Sequence, residues 1–362
     1  MMAGIDPKPD ADNRWSVARA GAWWETQPWW VGCNFIPSTA INQLEMWQAE
    51  SYDAVTIDRE LGWLADFGFN TARVYLHDLL WEQDAPGFLE RLDDFLAAAN
   101  RHGVGVILVL FDDVWNPEPR LGPQPAPHPG RHNSGWVQGP GLPVLRRYAE
   151  DGSVAERLQR YVDGVVSHLA EDPRVCAWDV YNEPGGFPSP GAERVGELCL
   201  PLLKDVFAWA RAAGPSQPLT SGLWWWDSKN PLPPAIETIQ RACSDILSFH
   251  HYGAPEELEQ ICDRLAEETE RPLVCTEYLA RPMKSRFETH LPVFRDRKIG
   301  AIHWGFVSGK TQTVYPWWSW FDEEPKPEPG VWFHDVLRSD GTPFDEEEAG
   351  FLQHFLADGK PD

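Results

Sequence analysis

Short runs of apolar, often β-branched residues alternate along the chain with longer segments whose apolar positions recur three or four apart, the signature of strands alternating with amphipathic helices. The runs fall at 30–35, 71–76, 104–111, 175–181, 218–223, 246–251, 273–277 and 301–306, and the helical spacing at 53–67, 88–102, 154–170, 194–213, 255–269 and 286–297. Punctuation agrees with these boundaries. Asp53 stands where an N-cap is needed, Gly68 and Gly103 follow two of the helical stretches as residues free to take positive φ, and Asp172-Pro173 closes a third. Eight successive βα units predict a parallel sheet, and closing it removes the unpaired edges. The expected fold is therefore α/β, a single (β/α)8 TIM barrel with long loops after strands 3 and 8. An open doubly wound sheet is the alternative, but no strand runs into the glycine-rich turn such sheets use for phosphates.

Residues 1–20 read as a polar leader and residues 21–362 as one domain, since no linker divides them. Two connections stand out. From Asp112 to about Asp151 the chain carries Pro117, Pro119, Pro123, Pro125, Pro127 and Pro129, and from Ser308 to Gly330 it carries Lys310, Gln312, Tyr315, Trp317, Trp318 and Trp320. Loops this long at the carboxyl ends of barrel strands build active sites, and proline stiffening makes the first a wall or partial lid.

Composition narrows the chemistry. The 362 residues include 31 Lys+Arg against 55 Asp+Glu, a net charge of −24, with no local basic patch. Such a surface repels nucleic acid and anionic lipid, and no apolar run is long enough to span a membrane. Twenty tryptophans suit flat, apolar recognition of a neutral ligand such as a carbohydrate ring, or else core packing. The six cysteines are scattered without a zinc or redox spacing, and no metal or organic cofactor is expected. The start, MMAGIDPKPDADNRW, lacks the apolar stretch of a secretory signal, giving a cytoplasmic expectation.

The strongest local signal is VCAWDVYNEP at 175–184, an apolar strand ending in Asn182, Glu183 and Pro184. A second strand ends in PLVCTEY, which puts Glu277 at another carboxyl tip. If these are strands four and seven, a barrel brings both carboxylates to one mouth. With Gly32-Cys33-Asn34 in strand one, Arg73 in NTARVYL, SFHHY at 248–252 and Trp304 in AIHWGF, the ordered set resembles clan A of the retaining glycoside hydrolases, most closely the family 5 or cellulase-like group, from about Trp30 to Phe306.

The resemblance implies Glu183 as general acid/base and Glu277 as nucleophile, two carboxylates whose pKa values must be held apart. It implies that Arg73 keeps Glu277 ionised, Tyr252 donates to the same carboxylate, and the negative neighbour raises Glu183. Asn182 is expected on the sugar 2-hydroxyl, His250 and Tyr252 match the family's H-x-Y pair, Trp304 is the platform under the sugar, and Asn34 reaches the same ring. LVLFDDVW departs from the family pattern. Its Asp112 either binds adjacent hydroxyls or caps the following turn. Trp115, Lys310, Gln312 and Trp224-Trp225-Trp226-Asp227 are further wall candidates. The expected activity is retaining hydrolysis of O-glycosides, on short oligosaccharides or terminal sugars, with a carbohydrate as partner. An endo-acting mannanase, glucanase or xylanase is the alternative, and a catalytically inactive carbohydrate-binding barrel is the alternative of another class.

Overall fold

The apolar runs form eight parallel strands: β1 (Val31–Asn34), β2 (Thr71–Tyr75), β3 (Gly105–Val109), β4 (Val175–Asp179), β5 (Leu219–Thr220), β6 (Leu247–His250), β7 (Leu273–Glu277) and β8 (Gly300–Trp304). They lie in the order β5-β4-β3-β2-β1-β8-β7-β6. The end strands β5 and β6 meet through a bridge between Leu223 and Phe249, a 2.9 Å bond from the His250 N–H to the Leu223 carbonyl, and a 2.7 Å contact between the Thr220 and Ser248 hydroxyls. This is the expected (β/α)8 barrel, seen in a computed structural model that describes residues 14–186, 189–224 and 233–357.

The helices among the described residues are α1 (Val17–Trp24), α2 (Gln43–Trp47), α3 (Ala54–Asp66), α4 (Asp78–Arg101), α5 (Leu142–Tyr148), α6 (Gly152–His168), α7 (Leu200–Ala212), α8 (Pro234–Cys243), α9 (Pro255–Glu268), α10 (Phe287–Asp296) and α11 (Glu346–Ala357). Asp53 caps α3 by accepting from the Thr56 N–H, and Gly68 and Gly103 take φ of 93° and 70° after α3 and α4. The first helix begins inside the stretch read as a polar leader, with its Ala20 fully buried. It plugs the amino-terminal end of the barrel. Trp23 and Trp24 meet Trp30 edge-on at ring centroid distances of 5.6 and 4.9 Å, and Trp30 packs with Ile107, Ala177, Ile246, Val274 and Ile302 inside the barrel. Part of the tryptophan excess is therefore a structural stopper, the use such large flat side chains find in any deep core.

At the opposite end the two long loops are bonded to each other. Asn133 N–H donates to the Thr311 carbonyl at 2.8 Å, His132 N–H to Ser319 Oγ at 3.0 Å, Trp320 Nε1 to the His132 carbonyl at 2.8 Å, and Gln312 Nε2 to the His128 carbonyl at 2.7 Å. Arg131 adds bonds to the carbonyls of Ser319 and Asp322. Together they form one wall on one side of the mouth.

Candidate active site

Side chains two apart on a strand share a face. On β2 that parity turns Arg73 and Tyr75 to the same side, and register sets Arg73 level with Asn34 of β1, which is itself level with Trp304 of β8. Arg73 is completely buried and all its reach is spent on the protein. It donates to Asp179 Oδ2 through Nε (3.1 Å) and Nη2 (2.8 Å), to Asn182 Oδ1 (2.6 Å), to Asn34 Oδ1 (2.7 Å), to the Tyr75 oxygen (2.5 Å) and to Glu277 Oε1 (3.0 Å). Burying a guanidinium is tolerable only when its charge and its donors are matched in this way.

Glu277, at the tip of β7, is the convergence point. Its Oε1 also accepts from Tyr75 OH at 3.0 Å, and its Oε2 from Tyr252 OH at 2.8 Å. Glu183 lies just past β4 with φ of 42°, a left-handed conformation that non-glycine residues take at a cost and that recurs at functional sites. The turn beneath it is held by Asp113, which accepts from the Gly185 N–H at 2.8 Å and from Tyr181 OH at 2.7 Å. A register shift between β6 and β7 falls at Phe249/His250 and brings His250 level with Glu277. His250 Nδ1 is 2.8 Å from Glu183 Oε1 and 3.5 Å from Glu277 Oε2. One atom from each of Glu183, His250 and Glu277 lies within 4.8 Å of the others. That spacing would also admit a cation, but Arg73 already supplies positive charge to Glu277.

Burial governs the titration of this group. It pushes Glu183 up to about 8, while Arg73 pulls the other way. Glu277 is raised too, first by burial and then by Glu183, against the lowering effects of His250, Arg73 and the Tyr252 hydrogen bond. Arg73 lies against Glu277 as expected and lowers it, but burial outweighs the arginine and the net shift is upward. The expected cause for Glu183 changes as well, from its negative neighbour to burial. The hydrogen bonds distinguish the two carboxylates. Glu277 receives Arg73, Tyr75 and Tyr252, which favour its anion, whereas Glu183 meets His250, held neutral with its pKa lowered to about 4 by burial.

These two carboxylates open into a cavity of about 610 Å³ lined by Trp115, Asn182, His250, Tyr252 and Trp304, together with Trp136, Trp224, Trp317, Trp318 and Trp320. Of the expected sugar contacts, Trp115, Asn182, His250, Tyr252 and Trp304 thus face it. The others do not. Arg73 and Asn34 lie beneath it, Asn34 Nδ2 being bound to the carbonyls of Thr276 (2.8 Å) and His303 (3.1 Å). Both oxygens of Asp112 are engaged, by Asn182 Nδ2 (2.9 Å), the Val114 N–H (3.2 Å) and Trp136 Nε1 (2.6 Å), so it caps its turn and anchors Asn182. Lys310 pairs with Glu45 at 2.6 Å, and Gln312 binds the backbone at His128 and Gly130, both in the loop wall. Trp225, Trp226 and Asp227 lie outside the described residues. Tyr75, Asp179 and Trp136 were not anticipated. Parity with Arg73 could have revealed Tyr75, but nothing in the proline-rich loop singles out Trp136.

The buried ionisable groups predict a pH dependence of stability. Asp112, Asp113 and Glu183 are each raised to about 8 by burial, so their protonated forms are favoured in the folded chain. Their contribution is complete below the ordinary carboxylate range and is lost as pH rises through about 8. His132, His250 and His290 are lowered by burial to about 4 from the ordinary histidine value of 6.5, so the opposite trend is complete once pH passes that ordinary value. Melting temperature is expected to fall between roughly pH 6.5 and 8. Scans in matched buffers check this, and Asp113→Asn should flatten the decline.

No protein-family model and no curated protein matches the chain. Among solved structures, GH5_18 from Streptomyces cattleya in complex with GlcNAc is similar with a TM-score of 0.59 at 15% identity, covering 92% of this chain and 80% of that one. The endo-1,4-β-mannanase of Rhizomucor miehei gives a TM-score of 0.59 at 11% identity, over 92% of this chain and 96% of that one. The endo-β-1,4-mannanase of Thermotoga petrophila gives 0.56 at 14% identity, over 92% and 77%. In architecture, the chain is a barrel of the kind these three proteins share.

Proposed function

We propose that the chain is a retaining O-glycoside hydrolase acting on short oligosaccharides or terminal sugars. The observation that carries this is the close approach of Glu183 and Glu277, within 4.8 Å at their nearest ligating atoms, inside one tryptophan-lined cavity. Retaining enzymes hold their carboxyl groups about 5–5.5 Å apart, inverting ones about 6.5–9.5 Å, so the narrow spacing supports double displacement. In the first step a Glu277 oxygen bonds to the anomeric carbon as the glycosidic C–O bond breaks, and Glu183 gives its proton to the departing oxygen. In the second, Glu183 takes a proton from water, whose oxygen displaces Glu277. His250 and the donors on Glu277 keep the two in these opposite protonation states.

The bonded loop wall and the cavity size support a small substrate, since about 300–1,000 Å³ encloses one compact ligand. An endo-acting β-glycanase is the second reading, favoured by the activities named for the Rhizomucor and Thermotoga proteins. A panel of 4-nitrophenyl glycosides, beginning with β-mannosides, set against mannan, glucan and xylan separates the two. Release of aryl alcohol without polymer cleavage supports terminal action, and mixed oligomers from polymer overturn it. On the active substrate Glu183→Ala should lose roughly 10²–10⁴-fold when the leaving group is poor and far less when it is 2,4-dinitrophenol. The parent's activity should decline as pH rises through about 8, where Glu183 loses its proton. A Glu183→Ala variant equally slow on both leaving groups contradicts the acid role.

A further inference from the structure

Asn133 belongs to the proline-rich loop and is only 1% exposed. Its backbone is left-handed, with φ of 51°, and is pinned on both sides: its N–H donates to the Thr311 carbonyl at 2.8 Å, and its carbonyl accepts from the Trp136 N–H at 3.1 Å. Its carboxamide is different. Neither Oδ1 nor Nδ2 has a hydrogen-bond partner among the described residues, although both are buried. Buried amides are almost always paired, as Asn34 and Asn182 beneath the site are, each held at both ends.

The position of the idle amide gives it a use. Asn133 lines the main cavity together with Trp136, Trp304 and Glu277, and it also borders a second cavity, of about 10 Å³, reaching Thr311, Thr313 and Asp335. That second space is about the size of one water, so solvent there can serve part of the amide but not all of it. Asparagine tolerates a left-handed backbone, which accounts for Asn or Gly at this position, yet it does not account for a buried, partnerless side chain on a cavity wall that it shares with Trp136 and Trp304.

We propose that Asn133 is a sugar-binding, specificity-determining residue, its Oδ1 accepting from one hydroxyl and its Nδ2 donating to a neighbouring one on the ring carried by Trp304. This deepens the glycosidase reading and rests on it. A carboxamide offers one acceptor and two donors in a plane, which matches a vicinal diol in one relative orientation and mismatches its epimer. Asn133 thereby selects among sugars that the flat tryptophans accept alike.

The test is a cycle between side chain and hydroxyl. Asn133→Gly removes the amide while keeping the left-handed backbone, and Asn133→Asp keeps the shape but replaces the donor. Both are assayed with the parent on the 4-nitrophenyl glycoside that the parent cleaves and on its monodeoxy analogues. Asn133→Gly should keep the parent's circular dichroism and lose about 10²-fold in kcat/KM. At one or two ring positions, deoxygenation should cost the variant almost nothing beyond that loss. A variant within twofold of the parent, or penalties that multiply at every position, overturns the proposal and leaves the amide a turn former. The same cycle is run by calorimetric binding. A parent that binds glycosides without cleaving them removes the hydrolase reading while binding still decides on Asn133, and a parent that does neither overturns both.

Discussion

Glu277→Ala is expected to lose turnover of aryl glycosides by several orders of magnitude and to regain part of it with azide, giving a glycosyl azide of inverted anomeric configuration. The structure makes this the most damaging single substitution for activity. Arg73, Tyr75 and Tyr252 all aim donors at the Glu277 carboxylate, so its removal leaves a small polar hollow facing the anomeric carbon with positive potential behind it. An external anion of azide's size fits the electrostatics that held the carboxylate. In the proposed mechanism Glu183 still protonates the leaving oxygen, and a single displacement by azide inverts the anomeric carbon. Steady-state rates with and without azide, and the configuration of the product by NMR, read the outcome. Unchanged turnover in a folded Glu277→Ala protein would remove the nucleophile assignment.

Arg73→Met is expected to have the largest effect on stability. The side chain is buried with Asp179 and Glu277 at 2.8 and 3.0 Å, and deleting one member of a buried ionic group strands the charges of the others. Such losses run to about 3–5 kcal/mol. The same change removes a charge that lowers the Glu277 pKa. With Arg73 gone, Glu277 titrates higher, less of it is ionised at mildly acidic pH, and the acidic limb of the rate profile moves upward. Denaturant unfolding gives the first quantity and the pH profile of kcat/KM the second. A folded variant with an unshifted limb would show that Arg73 acts on structure alone.

The sequence speaks clearly where a single residue carries the signal. Asp53, Gly68 and Gly103 marked helix ends because capping and positive φ are local requirements, and the barrel followed from counting units. Glu183 and Glu277 were legible because each ends an apolar strand abruptly. What the chain order could not convey is which way a polar side chain turns once it is buried. Asn34 was expected on the sugar and Asp112 either there or on its own turn, yet their polar atoms are spent on Thr276, His303, Arg73, Asn182 and Trp136, while Arg73 meets Glu277 as expected and Asp179 besides. Short elements were equally silent: α2 and α5 span too few turns to show a period, and α5 lies inside the stretch read as loop. Trp136 is placed by Asp112, Asn116 and Asn133 across its own loop, and Asn133 by a bond to Thr311 in a loop nearly two hundred positions away, a pairing no window of residues records.

That pairing bears on how such a protein acquires new preferences. The segment around 128–133 and the segment around 311–322 hold each other, through Arg131, His132, Asn133, Gln312 and Trp320. Grafting either segment alone from a relative would sever the ties of the one left behind. Variation here should be inherited in matched halves, and a library that diversifies both together has a far better chance of yielding a folded binding face than one that randomises a single loop.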